Sequence, residues 1–341
     1  MLNGISGRIL LLLLAAASAF GQDYKPEAIL AAERGLSEAR RQNYPEAIKA
    51  YRRAIALEPG LPGVYLNLGL ACFKSGDFQG AVNALLEADK REPTSQTGAL
   101  LAMSYVALGN NKEAAERLKP LVAAQPGNDE LAYLLARAYV RTGQFDAAKE
   151  LFGSMLARNP DSGEVHMLVG EALDGSRETE RAIGEFETAA KNSPTLPDVH
   201  FGLGYLYWKR KRYADAEREF RAEIHNDPKH ARSFAYLGDT LIKTDREAEA
   251  VERLKTATQL DAKLRIAHFD LGIIYSDRGL DDKAAGEFAE AIRVAPNDYG
   301  SHYRLARLYQ KMGKRSEAAA EFAIVQRLHE REDDQPLIEV K

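Results

Sequence analysis

A single cysteine, Cys72, excludes an internal disulfide, so packing alone must hold this chain together. Excess positive charge is also absent. Lys and Arg number 46 against 50 Asp and Glu, a net charge of -4, which excludes the strongly basic surface that nonspecific nucleic-acid binding needs. Catalytic signatures are missing as well, with no G-x-S-x-G, H-E-x-x-H, P-loop or Rossmann glycine pattern. No Gly-, Pro- or Ser-rich linker interrupts residues 28–330, so the two or three domains that 341 residues would suggest give way to one continuous organisation. The apolar run at residues 9–17 falls short of the roughly 20 residues that span a bilayer, so no stable membrane span is expected.

That run follows Arg8 and leads into Ser18-Ala19-Phe20-Gly21-Gln22. A positive flank, a short apolar core and small residues predict a secretory signal peptide over residues 1–21, cleaved after Gly21 or, as second choice, after Ala19. The alternative is an uncleaved N-terminal anchor facing the periplasm. Either way the chain is expected to be exported, periplasmic or secreted. A short lead at 22–27 and a polar tail at 331–341 flank the remainder.

What fills the remainder is a period. Pro59, Pro93, Pro126, Pro160, Pro194, Pro228 and Pro296 lie on a 34-residue ladder with one 33-residue step, and Ala262 and Glu330 occupy two further rungs. Nine units starting near residues 28, 62, 95, 129, 163, 197, 231, 265 and 299 follow. A fixed period of this kind marks a solenoid whose units contact mainly their neighbours.

In the second unit Tyr65, Leu68, Gly69 and Cys72 have the i, i+3, i+4, i+7 spacing of an amphipathic helix. Gly76-Asp77 breaks it, Ala81, Leu85 and Ala88 resume helical spacing, and Pro93 ends it. Each unit is thus two antiparallel helices joined by a tight turn. Small residues recur where the backbones approach, as Gly69/Ala81, Gly170/Ala182, Gly204/Ala216, Gly238/Ala250 and Gly272/Ala284, and turn glycines recur as Gly76, Gly109, Gly143, Gly279 and Gly313. Cys72 stands where sister units carry Tyr105, Tyr139 and Tyr207, the register of a small buried hydrophobe.

The pattern resembles the tetratricopeptide repeat, which has a large residue at position 4, Leu at 7, Gly or Ala at 8, Tyr at 11, Ala at 20, Phe or Tyr at 24, Ala at 27 and Pro at 32. His268, Leu271, Gly272, Tyr275, Ala284, Phe288, Ala291 and Pro296 match it in the eighth unit, and Leu203, Gly204, Tyr207, Ala216, Phe220 and Pro228 in the sixth. Arg34 and Glu38 depart from it in the first unit, as a polar capping unit would. The resemblance implies an all-α fold, an α-solenoid with a right-handed superhelical course. It also implies a concave face, lined by the first helices, that binds a protein or peptide, with no cofactor and no catalysis.

Candidate residues for that face come from positions of the first helices that point away from their partners. Phe201, Tyr205 and Trp208, the only tryptophan, lead the set, flanked by Tyr133, Arg137, Met167, Glu171, Tyr236, Asp239 and Phe269. Tyr and Trp supply much contact area at low entropy cost. The alternative is that these side chains pack between adjacent first helices. The family's carboxylate clamp is not reproduced: Asn67 holds the middle place, but Ala32, Leu36, Gln96 and Leu100 stand where its partners belong. Arg304, Arg307 and Lys311 share one face of the last unit, where a solvated helix end is expected. His166, His200, His268 and His302 recur at position 4 but lie a whole unit apart, about 10 Å, against metal bonds of about 2 Å, so they read as half-buried core residues. The expectation is a scaffold that binds protein or peptide in a bacterial envelope. A carrier for envelope polysaccharide or lipid, and a self-associating spacer, are the alternatives. Oligomeric state is not legible.

Overall fold

The computed structural model describes residues 24–333; residues 1–23, with the segment expected to be a signal peptide, and residues 334–341 lie outside the described residues. Eighteen α-helices and no strand occur among the described residues. They follow the nine repeats in chain order: α1 (Pro26–Arg40) and α2 (Tyr44–Leu57), α3 (Val64–Ser75) and α4 (Phe78–Arg91), α5 (Ser95–Leu108) and α6 (Asn111–Ala124), and α7 (Asp129–Arg141) and α8 (Phe145–Arg158). Then follow α9 (Gly163–Gly175) and α10 (Thr179–Asn192), α11 (Val199–Lys209) and α12 (Tyr213–Asn226), α13 (Ala231–Lys243) and α14 (Glu247–Leu260), α15 (Arg265–Asp277) and α16 (Asp281–Val294), and α17 (Tyr299–Lys311) and α18 (Arg315–Asp333).

The chain divides into two compact units, Met1–Glu178 with α1–α9 and Thr179–Lys341 with α10–α18. Inside each unit successive helices pack in chain order, and each first helix also packs on the next first helix, as α11 on α13 and α13 on α15.

Turn chemistry sets the hairpins. Position 15 has a positive φ in all nine: Gly76, Gly109, Gly143, Gly279 and Gly313 between 70° and 82°, and Gln42, Arg177, Lys211 and Asp245 between 57° and 64°. Glycine adopts this left-handed backbone freely, while a side chain costs about 1–2 kcal/mol there. At the other boundary, second helices stop just before the position-32 proline, which disfavours helical backbone in the residue ahead of it. The stop survives at Ala262, where α14 still ends at Leu260, but α18 runs through the Glu330 rung to Asp333.

The position-8 glycines are filled by the large residue at position 24. A Cβ on Gly69 would meet Leu85 at 2.5 Å, on Gly204 Phe220 at 2.8 Å, on Gly238 Leu254 at 2.6 Å and on Gly272 Phe288 at 2.6 Å. The contact expected for Ala81 and Ala250 is a longer one, 3.5 Å to their carbonyl oxygens. Phe220 and Phe288 are at most 1% exposed, and burying such a ring contributes about 1.5–3 kcal/mol. Cys72, 1% exposed, joins the core of the first unit, and burial pushes its thiol up to about 11.

Candidate functional site

The histidines at position 4 fasten each first helix to two neighbours. Nδ1 of His200, His268 and His302 faces Glu219, Glu287 and Glu321 on the second helix of the same hairpin at 2.7, 2.7 and 2.5 Å. Nε2 faces the carbonyl oxygens of Pro194, Ala262 and Pro296 at 3.0, 3.3 and 3.0 Å. At His200 and His268 the two acceptors are satisfied together only by a doubly protonated imidazolium. The carboxylate hydrogen bonds accordingly raise the pKa of His200 and His268 above the ordinary imidazole value. For Glu219 burial pushes the pKa upward, yet hydrogen bonds from His200 and Arg218 outweigh it and leave the carboxyl below its usual range. Among the described residues no group of three or more His, Cys, Asp and Glu side chains could hold a metal ion.

The start of α11 is held by a second carboxylate. Glu223 stands at position 27, where sister hairpins carry Ala54, Ala88, Ala189, Ala257 and Ala291. It is 2% exposed and accepts the backbone N–H of Asp198 and of Phe201, both at 3.1 Å. These are unsatisfied donors of a helix N-terminus, where a negative charge is also favoured. Asp198, at φ 65°, reaches the next hairpin, accepting from Arg232 at 2.6 Å and lying 3.0 Å from His230 Nε2.

On this frame the predicted aromatic residues come together. Tyr205 stacks on Trp208 at 5.8 Å and on Phe201 at 6.4 Å, with interplanar angles of 20° and 23°. Tyr236, from α13, meets all three edge-on, at 5.7 Å from Phe201, 5.4 Å from Tyr205 and 5.2 Å from Trp208. All four rings are partly exposed. The Arg232 guanidinium covers the Phe201 ring at 4.4 Å, and Lys209 lies 5.7 Å from the Tyr205 centroid. Trp208 Nε1 donates to Asp239 Oδ2 at 2.5 Å. The cluster therefore packs between first helices and still presents ring surface.

Asp239 is 6% exposed, and its Oδ1 lies 3.8 Å from Lys243 Nζ. Beside it, on α15, stands Asp270, a residue that the choice of outward positions passed over. Phe269, also on α15, packs edge-on against Phe288 at 6.0 Å, with Arg265 at 5.4 Å from its ring.

The remaining predicted residues lie in the first unit. Tyr133 on α7 is partly buried against the apolar cluster that includes Ala132 and Val165, and burial raises its pKa. Glu171 on α9 pairs with Arg141 at 3.2 Å; Arg137 and Met167 are partly buried on α7 and α9. The basic run after α11 is engaged by neighbours: Arg210 pairs with Glu180 at 2.6 Å, and Arg212 pairs with Asp215 while covering Tyr207 at 4.3 Å. Lys311 bonds Asp281 at 2.7 Å, while Arg304 and Arg307 are exposed.

Tandem helical hairpins with glycine at position 8, a left-handed position 15 and a ladder of terminating prolines define a helical-repeat protein. Tetratricopeptide repeat models match residues 35–76, 62–95, 105–172, 174–231 and 201–264, and the chain belongs to the tetratricopeptide repeat family. Among solved structures it is similar to pilF of Pseudomonas aeruginosa, at 18% identity and a TM-score of 0.55, over 59% of this chain and 91% of that one. It is also similar to MamA, at 22% identity and a TM-score of 0.43, over 48% of this chain and 96% of that one. A third is YrrB, described as a TPR protein with an unusual peptide-binding site, at 20% identity and a TM-score of 0.43, over 52% of this chain and 91% of that one. At these identities the similarity is one of fold. No curated protein sequence matches the chain. Among the described residues no helix is long and apolar enough to cross a membrane.

Proposed function

We propose that this is an exported, non-catalytic scaffold of a bacterial envelope that binds a protein or peptide through the first-helix face of its second unit. The observation that carries the reading is the Phe201–Tyr205–Trp208 stack with Tyr236 edge-on to it, partly exposed yet fixed. Rings locked in place lose little entropy on contact, which is why Tyr and Trp dominate binding hot spots. Membership of a family built from tandem hairpins supports a binding rather than a catalytic role. The residue pattern at 1–21 supports export.

Random peptides displayed on phage and selected on the full chain test the binding. Tyr205→Ala is expected to weaken the recovered peptides about tenfold or more, a typical hot-spot loss, with the melting temperature nearly unchanged. Recovery of no peptide, or peptides indifferent to Tyr205→Ala, Phe201→Ala and Trp208→Phe alike, overturns it. Export is tested by fusing residues 1–30 to a phosphatase that folds only outside the cytoplasm; an inactive fusion sinks that part.

A further inference from the structure

Asp270 has no part in the hairpin contacts above. It is 5% exposed, and its Oδ2 is sealed from solvent and accepts no hydrogen bond. A carboxylate so placed is costly unless a cation meets it or it takes a proton. Burial first, then the neighbouring Asp239 charge, drives its pKa well above the carboxylate range, against the pull of Lys243 and Arg265. Both of those cations are drawn elsewhere. Lys243, with 48% of its side chain exposed, extends to Asp239 Oδ1 at 3.8 Å, and Arg265 lies 3.5 Å from Asp298 Oδ2. Asp239 is in turn bound to Trp208 Nε1, so the carboxylates adjoin the aromatic group.

We propose that Asp239 and Asp270, with the rings of Tyr205, Trp208 and Tyr236, form a subsite for the guanidinium or ammonium group of an arginine or lysine side chain in a bound peptide. The inference rests on the peptide-binding reading and adds the charge of the ligand. A cation brings the donor that Asp270 lacks, and its bond to an ionised carboxylate is stronger than a neutral one. The Trp208 indole bonded to Asp239 brings aromatic surface to the same place, where cation–π attraction can add. Lys243 is the intramolecular competitor for the same pair of carboxylates.

Trp208 is the only tryptophan, so its emission reports on the subsite. The probes are peptides recovered by display, resynthesised with arginine, lysine, uncharged citrulline or glutamate at each basic position, and titrated into the full chain by emission and calorimetry. Arginine is expected to bind about tenfold or more tighter than citrulline, the scale of one charged hydrogen bond. Asp270→Asn and Asp239→Asn should each collapse that ratio, and Lys243→Met should raise affinity for the arginine peptide. Equal binding of arginine and citrulline, or a ratio that survives both Asn variants with their helicity intact, overturns the cation subsite and leaves peptide binding standing. Should Asp270→Asn not fold, Asp239→Asn and Lys243→Met decide alone. Failure of every displayed peptide to bind overturns the parent reading and this one together.

Discussion

His268 Nδ1 lies 2.7 Å from Glu287 Oε2, and the same pairing, nineteen residues apart, holds His200 to Glu219. The carboxylate partners raise both histidines above their ordinary value. A raised folded pKa contributes stability that is fully present below the unfolded value, about 6.5, and is lost as pH rises through the folded value. Glu219 has the opposite sign, its pKa held low, so its contribution is lost as pH falls through its folded value in the acid range. Thermal stability should therefore fall as pH rises above about 6.5, and His200→Gln with His268→Gln should flatten that limb. A melting temperature indifferent to pH from 6 to 9 in the parent chain would falsify the account.

Two glycines of the eighth hairpin should respond in opposite directions. Gly272→Ala drives a Cβ to 2.6 Å from Phe288, whereas Gly286→Ala meets nothing within 4 Å on α16. The first is expected to destabilise by about 1–3 kcal/mol through overpacking. The second should stabilise by about 0.5–1 kcal/mol, as alanine does in a helix interior. Urea denaturation at constant m-value reads both; similar shifts of the same sign would contradict the packing.

At the turns, Lys211 at φ 57° does what Gly76 does at 82°. Lys211→Gly should stabilise by about 0.5–1 kcal/mol once glycine's greater unfolded-state freedom is subtracted, and Gly76→Ala should destabilise by about 1 kcal/mol. Denaturant midpoints of the two variants moving in the reverse order would count against left-handed turns.

Glu223→Ala restores the residue that sister hairpins carry, yet it frees the N–H groups of Asp198 and Phe201. A loss of about 1–3 kcal/mol is expected from those donors. Hydrogen exchange at Phe201 should quicken with it, and unaltered exchange would show the cap to be dispensable.

The hairpins were legible because apolar spacing recurs through nine units, with proline on seven of the nine rungs and glycine at five of the nine turns, and the signals agree. The carboxylates that shape the site were harder to see, since each departs from the repeat. Glu223 was nonetheless visible as a charge on a rung of alanines. The four histidines at position 4 each have a glutamate nineteen residues on, Glu185, Glu219, Glu287 and Glu321, while the other five units have neither residue at those places. Asp270 escaped although it shares position 6 with the candidate Tyr236, because a lone acid at that register carries no aromatic signal. Its burial and missing donor depend on tertiary neighbours that no spacing rule supplies.

Glu223 has one more consequence. The amino end of a helix is where a peptide's terminal carboxylate would ordinarily settle, drawn by free amides and the dipole. On α11 that berth is already occupied from behind by the chain's own acid. A carboxylate approaching that helix end would therefore meet an acid in place of free amides.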